Sequence, residues 1–325
     1  MMKVIELTEI ENIKIGHADN QVAATGCTVI ICEQGAPTGI DIRGGGPASR
    51  ETQLLNPLAA CDKIHAVLLS GGSAFGLDAA GGVMSYLEER GIGFDVGVTK
   101  VPLVSTSCLF DLQVGDTQAR PDVEMGYAAC LAAELNEPRE GNVGAGTGAT
   151  VGKYKGVSGM MKSGIGMYAV ELGDLKVGAL VAVNALGDVK DEVSGAILAG
   201  LLNEEQTAFL NTEEMLYKEA TQQKNLFTGN TTLGVIITNG AFNKVQMTKI
   251  AAMAQNGLAK TICPVHTTAD GDSVYALSVG EVAADINVVG TLAAKVMAKA
   301  INRAVLMAEP AYGLKVAADF MINSK

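Results

Sequence analysis

Glycine constrains this chain more than any other residue. It fills 39 of 325 positions, well above the ~7% usual in proteins. It is also clustered, at Gly44-Gly45-Gly46, Gly71-Gly72 and Gly144, Gly146, Gly148 and Gly152. A chain so built makes tight turns and brings backbone against backbone, because only glycine lacks the Cβ that obstructs both. Tryptophan is absent, which argues against a platform that stacks bases or sugars. Hydrophobic residues at 48% and charged residues at 18% exclude a disordered or coiled-coil chain.

Charge narrows the classes further. The net charge of −11 repels nucleic-acid phosphates, so no nucleic-acid partner is expected. Met1-Met2-Lys3-Val4 begins no apolar signal core, and no uninterrupted apolar run of about 18 residues occurs, so the expectation is a soluble cytoplasmic protein with no membrane partner. The six cysteines, Cys27, Cys32, Cys61, Cys108, Cys130 and Cys263, are dispersed and read as reduced, mostly buried thiols. Residues 1–230 carry 16 Lys/Arg and 29 Asp/Glu, net −13, while residues 231–325 carry eight and six, net +2. The two parts therefore attract, although five of those acids fall in 204–219, where a solvated helix face accounts for them.

Hydrophobic periodicity predicts strands at 26–32, 64–70, 166–172, 177–184, 233–238 and 273–279. Helices are expected at 74–90, capped by Ser73 and stopped by Gly91, and at 204–223, 244–260 and 282–307. No repeat and no proline-rich linker divides the chain. This α/β mixture fits two helical layers around packed sheets as well as a doubly wound sheet.

Most familiar chemical motifs fail on spacing. The run from Gly144 to Lys153 lacks the glycine a Walker loop needs, since Thr147 stands five residues before Gly152, and Tyr154 follows the lysine. A dinucleotide reading survives only as the variant Gly144, Gly146, Ala149, with no strand leading clearly into it. Lys153 still stands where a glycine loop aims it into a site. Of three histidines, His65 lies in an apolar strand and reads as a core residue, and no GxSxG elbow supports a serine hydrolase. Cys263-Pro264-Val265-His266 has two metal-ligand types without a second pair, and Asp270-Gly271-Asp272 lacks the other carboxylates of a calcium loop, so no metal is expected.

Thr228-Gly229-Asn230-Thr231-Thr232 is a small polar turn directly before an apolar strand. A threonine freed at its amino side becomes a nucleophile whose own amine is the base, so no histidine is needed. A plain turn and a glycosylation sequon at Asn230 are the alternative readings.

The stretches Arg43-Gly44-Gly45-Gly46-Pro47-Ala48-Ser49-Arg50-Glu51, Ser70-Gly71-Gly72-Ser73-Ala74-Phe75-Gly76-Leu77-Asp78, Asn142-Val143-Gly144-Ala145-Gly146-Thr147-Gly148-Ala149, Asn230-Thr231-Thr232-Leu233-Gly234 and Asp270-Gly271-Asp272 together resemble the P1 family of self-processing N-terminal nucleophile peptidases and amidases. The match is strongest with the branch containing nylon-oligomer hydrolase. The resemblance implies a single αββα sandwich that cuts itself between Asn230 and Thr231 into fragments 1–230 and 231–325. It implies Thr231 as nucleophile, Asn184 as an oxyanion donor, Asp270 and Asp272 as an acidic pair, and Lys153 as an active-site lysine. A lysine there depresses the pKa of the Thr231 amine while carboxylates raise it. The implied substrate is a short peptide or a linear ω-amino-acid amide, hydrolysed without a cofactor by a homo-oligomer of processed protomers. One departure stands out: aminopeptidase members carry an aromatic hydroxyl where this chain continues from Val104 through Ser105-Thr106-Ser107-Cys108-Leu109-Phe110, which puts strict aminopeptidase specificity in doubt. An acyl transferase like ornithine acetyltransferase and an uncleaved binding protein are the alternatives.

Overall fold

In the computed structural model, residues 2–220 and 229–321 are described. Eight principal strands are β1 (Lys14–Asn20), β2 (Thr25–Ile42), β3 (Lys63–Ser70), β4 (Val104–Cys108), β5 (Ile165–Leu172), β6 (Leu175–Asn184), β7 (Thr231–Gly240) and β8 (Ser273–Val282). Helices are α1 (Ala79–Glu89), α2 (Val123–Ala133), α3 (Thr212–Lys218), α4 (Lys244–Thr261) and α5 (Ile286–Leu306), with a final turn at Ala318–Met321. Strands β6 and β7 are apolar on both faces and buried almost throughout, as strands covered on both sides must be.

One sheet runs β5–β6–β7–β8 and ends on the second half of β2. The other runs β1–β2–β3–β4 through the first half of β2. The long β2 strand joins them, and its register with β3 breaks between Ile31 and Ala36 where it changes sheets. Between the sheets, Ile15, Ile30, Val67 and Leu69 meet Leu180, Leu233, Val235, Ile237 and Tyr275. Helices α4 and α5 cover one outer face, where Ile250, Val289 and Val296 pack on Val177, Val181 and Ile236. Helices α1 and α2 cover the other, with Val83, Leu87 and Ala129 on Val29, Ile31 and Leu68. The architecture is the αββα sandwich; a doubly wound sheet would place both helix layers on a single sheet.

Two glycines set the helix spacing. A Cβ on Gly16 would lie 2.1 Å from Ala129 O of α2, and one on Gly166 would lie 2.0 Å from Ala300 O of α5. At both places helix backbone rests directly on strand backbone, which any side chain would force apart.

Local hydrogen bonding overrides periodicity in three places. The expected helix at 204–223 is confined to α3 among the described residues, with 221–223 lying outside them. Before α3, Asn203 Oδ1 accepts from Thr207 N and Ala208 N, closing a turn in competition with helix. The Asp188 carboxylate then captures Thr212 N and Oγ1. Ser73 does not cap a helix: it has φ +55 inside the 3-10 segment Ser73–Asp78, and α1 begins only at Ala79. The cause is that Gly72 N and Ser73 N donate to Asp111 Oδ1 and Leu109 O. Finally, 282 ends strand β8, and α5 starts after Asp285, whose carboxylate accepts from Asn287 N and Val288 N.

Candidate active site

The site forms where the central strands begin and end. Thr231 opens β7 and pairs with Asn184, the last residue of β6. On the other side of β7, Asn230 bridges Asp270 in the turn that leads into β8. Asn230, Thr231, Asn184, Asp270 and Asp272 are all buried.

The Asn230 carbonyl oxygen receives two donors. Thr231 Oγ1 donates to it at 2.5 Å, and Gly271 N at 2.8 Å. A backbone N–H at that distance has the placement that stabilises charge developing on a carbonyl oxygen under attack. A Cβ at 271 would lie 2.6 Å from Thr231 Oγ1, so the turn needs glycine to meet the hydroxyl.

Lys153 reaches the locus from the turn after the glycine-rich run. Its ammonium donates to Asn184 Oδ1 at 2.5 Å, and to Asn184 O and Gly229 O at 3.2 Å each. Burial pushes its pKa down to about 7, against the pull of Asp270 and Asp111. Asn184 Oδ1 also accepts from Thr150 N, and Asn184 Nδ2 donates to Phe110 O at 2.9 Å. Asp270 accepts from Thr267 N and Oγ1; burial, and then the neighbouring Asp272, hold its carboxyl above the usual range. Asp272 accepts from Thr232 N at 2.7 Å through Oδ1, and from His266 N and Nδ1 at 3.1 and 2.9 Å through Oδ2. Among the described residues Lys153 thus acts on Asp270 through space, with no ion pair to either carboxylate.

Three contributors play parts that residue type and spacing do not show. Gly271 acts through its amide, which any residue type shares. Lys162, buried, donates to Gly146 O and Ala149 O at 3.0 Å and to Ser163 O; burial pushes it too down to about 7, with Asp111 opposing. This cation holds the glycine run from which Thr150 N meets Asn184. Gly144–Gly146 is a 3-10 turn followed by the short strand Thr150–Val151, so no helix N-terminus is available for a dinucleotide phosphate. The third is His266, which sequence spacing places with Cys263. In the fold the two diverge, Cys263 Sγ donating to Glu213 Oε2 while His266 turns to Asp272. At the end of 105–110, Phe110 packs its ring on Gly229, leaving no space for a Cβ there.

Known proteins resemble this chain in sequence and fold. The model of peptidase family S58 matches residues 6–318. An uncharacterized aminopeptidase of Mycobacterium leprae is 38% identical over 95% of this chain and 92% of its own. A 6-aminohexanoate-oligomer endohydrolase of a Kocuria strain is 30% identical over 84% of this chain and 75% of its own. Among solved structures, the L-aminopeptidase D-Ala-esterase/amidase of Ochrobactrum anthropi, described as a variant of the Ntn hydrolase fold, superposes with a TM-score of 0.68 at 17% identity, covering 93% of this chain and 86% of that one.

Proposed function

The chain belongs to peptidase family S58 and is a hydrolase of amide or peptide bonds; from that premise we propose that it is self-cleaving and that Thr231 is its nucleophile. Thr231 Oγ attacks the Asn230 carbonyl carbon, and the C–N bond to Thr231 breaks as the amine takes the hydroxyl proton. Water then hydrolyses the resulting ester, releasing the Asn230 carboxylate and regenerating the hydroxyl. The mature enzyme repeats the acyl transfer on a substrate amide with the freed Thr231 amine as base. Gly271 N holds the oxyanion, and the amide of Asn184 is the second donor once it turns from Phe110 O.

While protonated, Lys153 lowers the pKa of the amine, and Asp270 and Asp272 raise it. The substrate class is a short peptide or a linear ω-amino-acid amide, as the names of the relatives suggest, and the working form is a cytoplasmic homo-oligomer of processed protomers. The observation that carries the reading is the convergence of a hydroxyl and a backbone N–H on one carbonyl oxygen, that of the residue before the hydroxyl. Denaturing gels and N-terminal sequencing test it. The purified protein should run as two fragments, the smaller beginning Thr-Thr-Leu-Gly, and Thr231→Ala should abolish both the cut and turnover. A small fragment that begins elsewhere, or an active Thr231→Ala protein, overturns the reading.

A further inference from the structure

We propose that His266 is a positioning residue of this site, acting on the nucleophile through Asp272; the proposal rests on the reading of Thr231 as nucleophile. An ionised carboxylate only accepts hydrogen bonds, and Asp272 accepts three. Two of them come from His266, whose own N–H and ring Nδ1 converge on Oδ2, and the third comes from Thr232 N on Oδ1. His266 therefore sets the orientation of the carboxylate that grips the peptide next to Thr231.

The local backbone is built for this convergence. His266 has φ +59, a left-handed conformation that a non-glycine residue holds only where its surroundings over-determine it. Ring Nδ1 lies 2.9 Å from Asp272 Oδ2, within reach of a ring N–H on that nitrogen. The far nitrogen, Nε2, is buried and finds no partner among the described residues, so Asp272 is the ring's one anchor there.

The consequence is greatest after self-cleavage. Residue 231 then lacks a peptide link on its amino side, and the position of its amine and hydroxyl depends on pairing with Asn184 and on the Asp272–Thr232 bond. Loosening Asp272 should misplace the nucleophile while leaving substrate contacts intact, so kcat suffers and KM does not.

The test compares His266→Gly with His266→Asn in the full chain. Glycine accepts the left-handed backbone and keeps the N–H bond to Asp272 while removing the ring. Asparagine tolerates the same φ and places an amide N–H near the position of Nδ1. His266→Gly should slow self-cleavage and lower kcat on a short linear amide by about tenfold with KM within about twofold, and His266→Asn should recover most of the loss. A folded His266→Gly protein with parental cleavage and kcat, or an Asn variant no better than Gly at matched thermal midpoints, overturns the proposal. If His266→Gly does not accumulate, His266→Leu against His266→Asn makes the same comparison with and without a donor. Thr231→Ala separates the two levels: if it stays active the nucleophile assignment is wrong, whereas if it is inert and His266→Gly is normal, only the role of His266 fails.

Discussion

Replacing Gly271 by alanine tests the geometry of the proposed nucleophile with a single methyl group. The added Cβ would lie 2.6 Å from Thr231 Oγ1, where ordinary contact begins at 3.4 Å, and it is closed in by Gly46 O at 3.0 Å and Pro47 Cα at 3.3 Å. With backbone on those sides, about 0.8 Å must be found by rotating the threonine hydroxyl or by sliding the turn. Rotation takes Oγ1 off its line to the Asn230 carbonyl; sliding pulls the Gly271 N–H away from the oxygen it holds. A misplacement near 1 Å costs on the order of 10²-fold in rate, as does losing one oxyanion donor, which corresponds to roughly 2.7 kcal/mol. Gly271 is not among the residues with positive φ, so alanine strains the site and not the turn. The assay is conversion of labelled, freshly translated precursor followed on denaturing gels, with circular dichroism to establish folding. A folded Gly271→Ala precursor that converts within about threefold of the parent would refute the reasoning, because no 10²-fold penalty would then attach to the hydroxyl's place.

Asn184→Ala should lower kcat by about 10²-fold if its amide serves the oxyanion, since that bond strengthens only as charge develops; an unchanged kcat reduces Asn184 to a ligand of Lys153 and Phe110. Stability should depend on pH through the two buried lysines. Lys153 and Lys162 titrate near 7 in the fold against 10.5 when unfolded, so from about pH 7 upward the unfolded chain binds more protons and stability rises with pH. The rise should end near pH 9, the ordinary thiol value, because burial holds Cys27, Cys32, Cys108 and Cys130 protonated in the fold and reverses the sign. Thermal midpoints of Thr231→Ala should therefore climb from about pH 7 to 8.5, and less steeply in Thr231→Ala/Lys162→Met; a flat or falling curve contradicts the assignment.

What the sequence revealed divides along physical lines. Long elements whose pattern is set by burial were legible: the run at 177–184 lies within β6, 233–238 within β7, and 244–260 within α4. Elements decided by a side chain seizing backbone were not, as at Asn203 and Asp188 before α3, or at Asp111 against Gly72. Their partners lie between four and 39 residues apart, outside what periodicity registers. The same division runs through the site. Thr231 and Lys153 stood out by residue type and position, and Asn184, Asp270 and Asp272 through the family resemblance; the fold brings all five into one buried locus. Gly271 works through a main-chain N–H, Lys162 is a lone cation in an apolar stretch, and His266 binds six residues along the chain. None shows its part in the site until the tertiary structure supplies its acceptor.

The place of the proposed cut also bears on how a severed chain would remain folded. The 230/231 bond lies at the first residue of β7, so, apart from the Asn230–Asp270 bridge, the pairing that binds this strand lies on its carboxyl side. Thr231 to Thr238 pair with β6 from the larger fragment, while Leu233 to Gly240 pair with β8 from the smaller. Leu233, Val235 and Ile237 would remain between the sheets against Ile30, Val67, Leu69 and Leu180 of the larger fragment. At about 1.5–3 kcal/mol for each large apolar side chain buried, this interface retains most of what the intact chain had. Cutting within β7 instead would leave a central strand without its covalent course through the core and expose ladder groups on both sides. A threonine at the first position of a doubly paired central strand would therefore reconcile the two demands of the proposed cut, a free amine beside its own hydroxyl and a sheet that keeps its ladder when the peptide bond is broken.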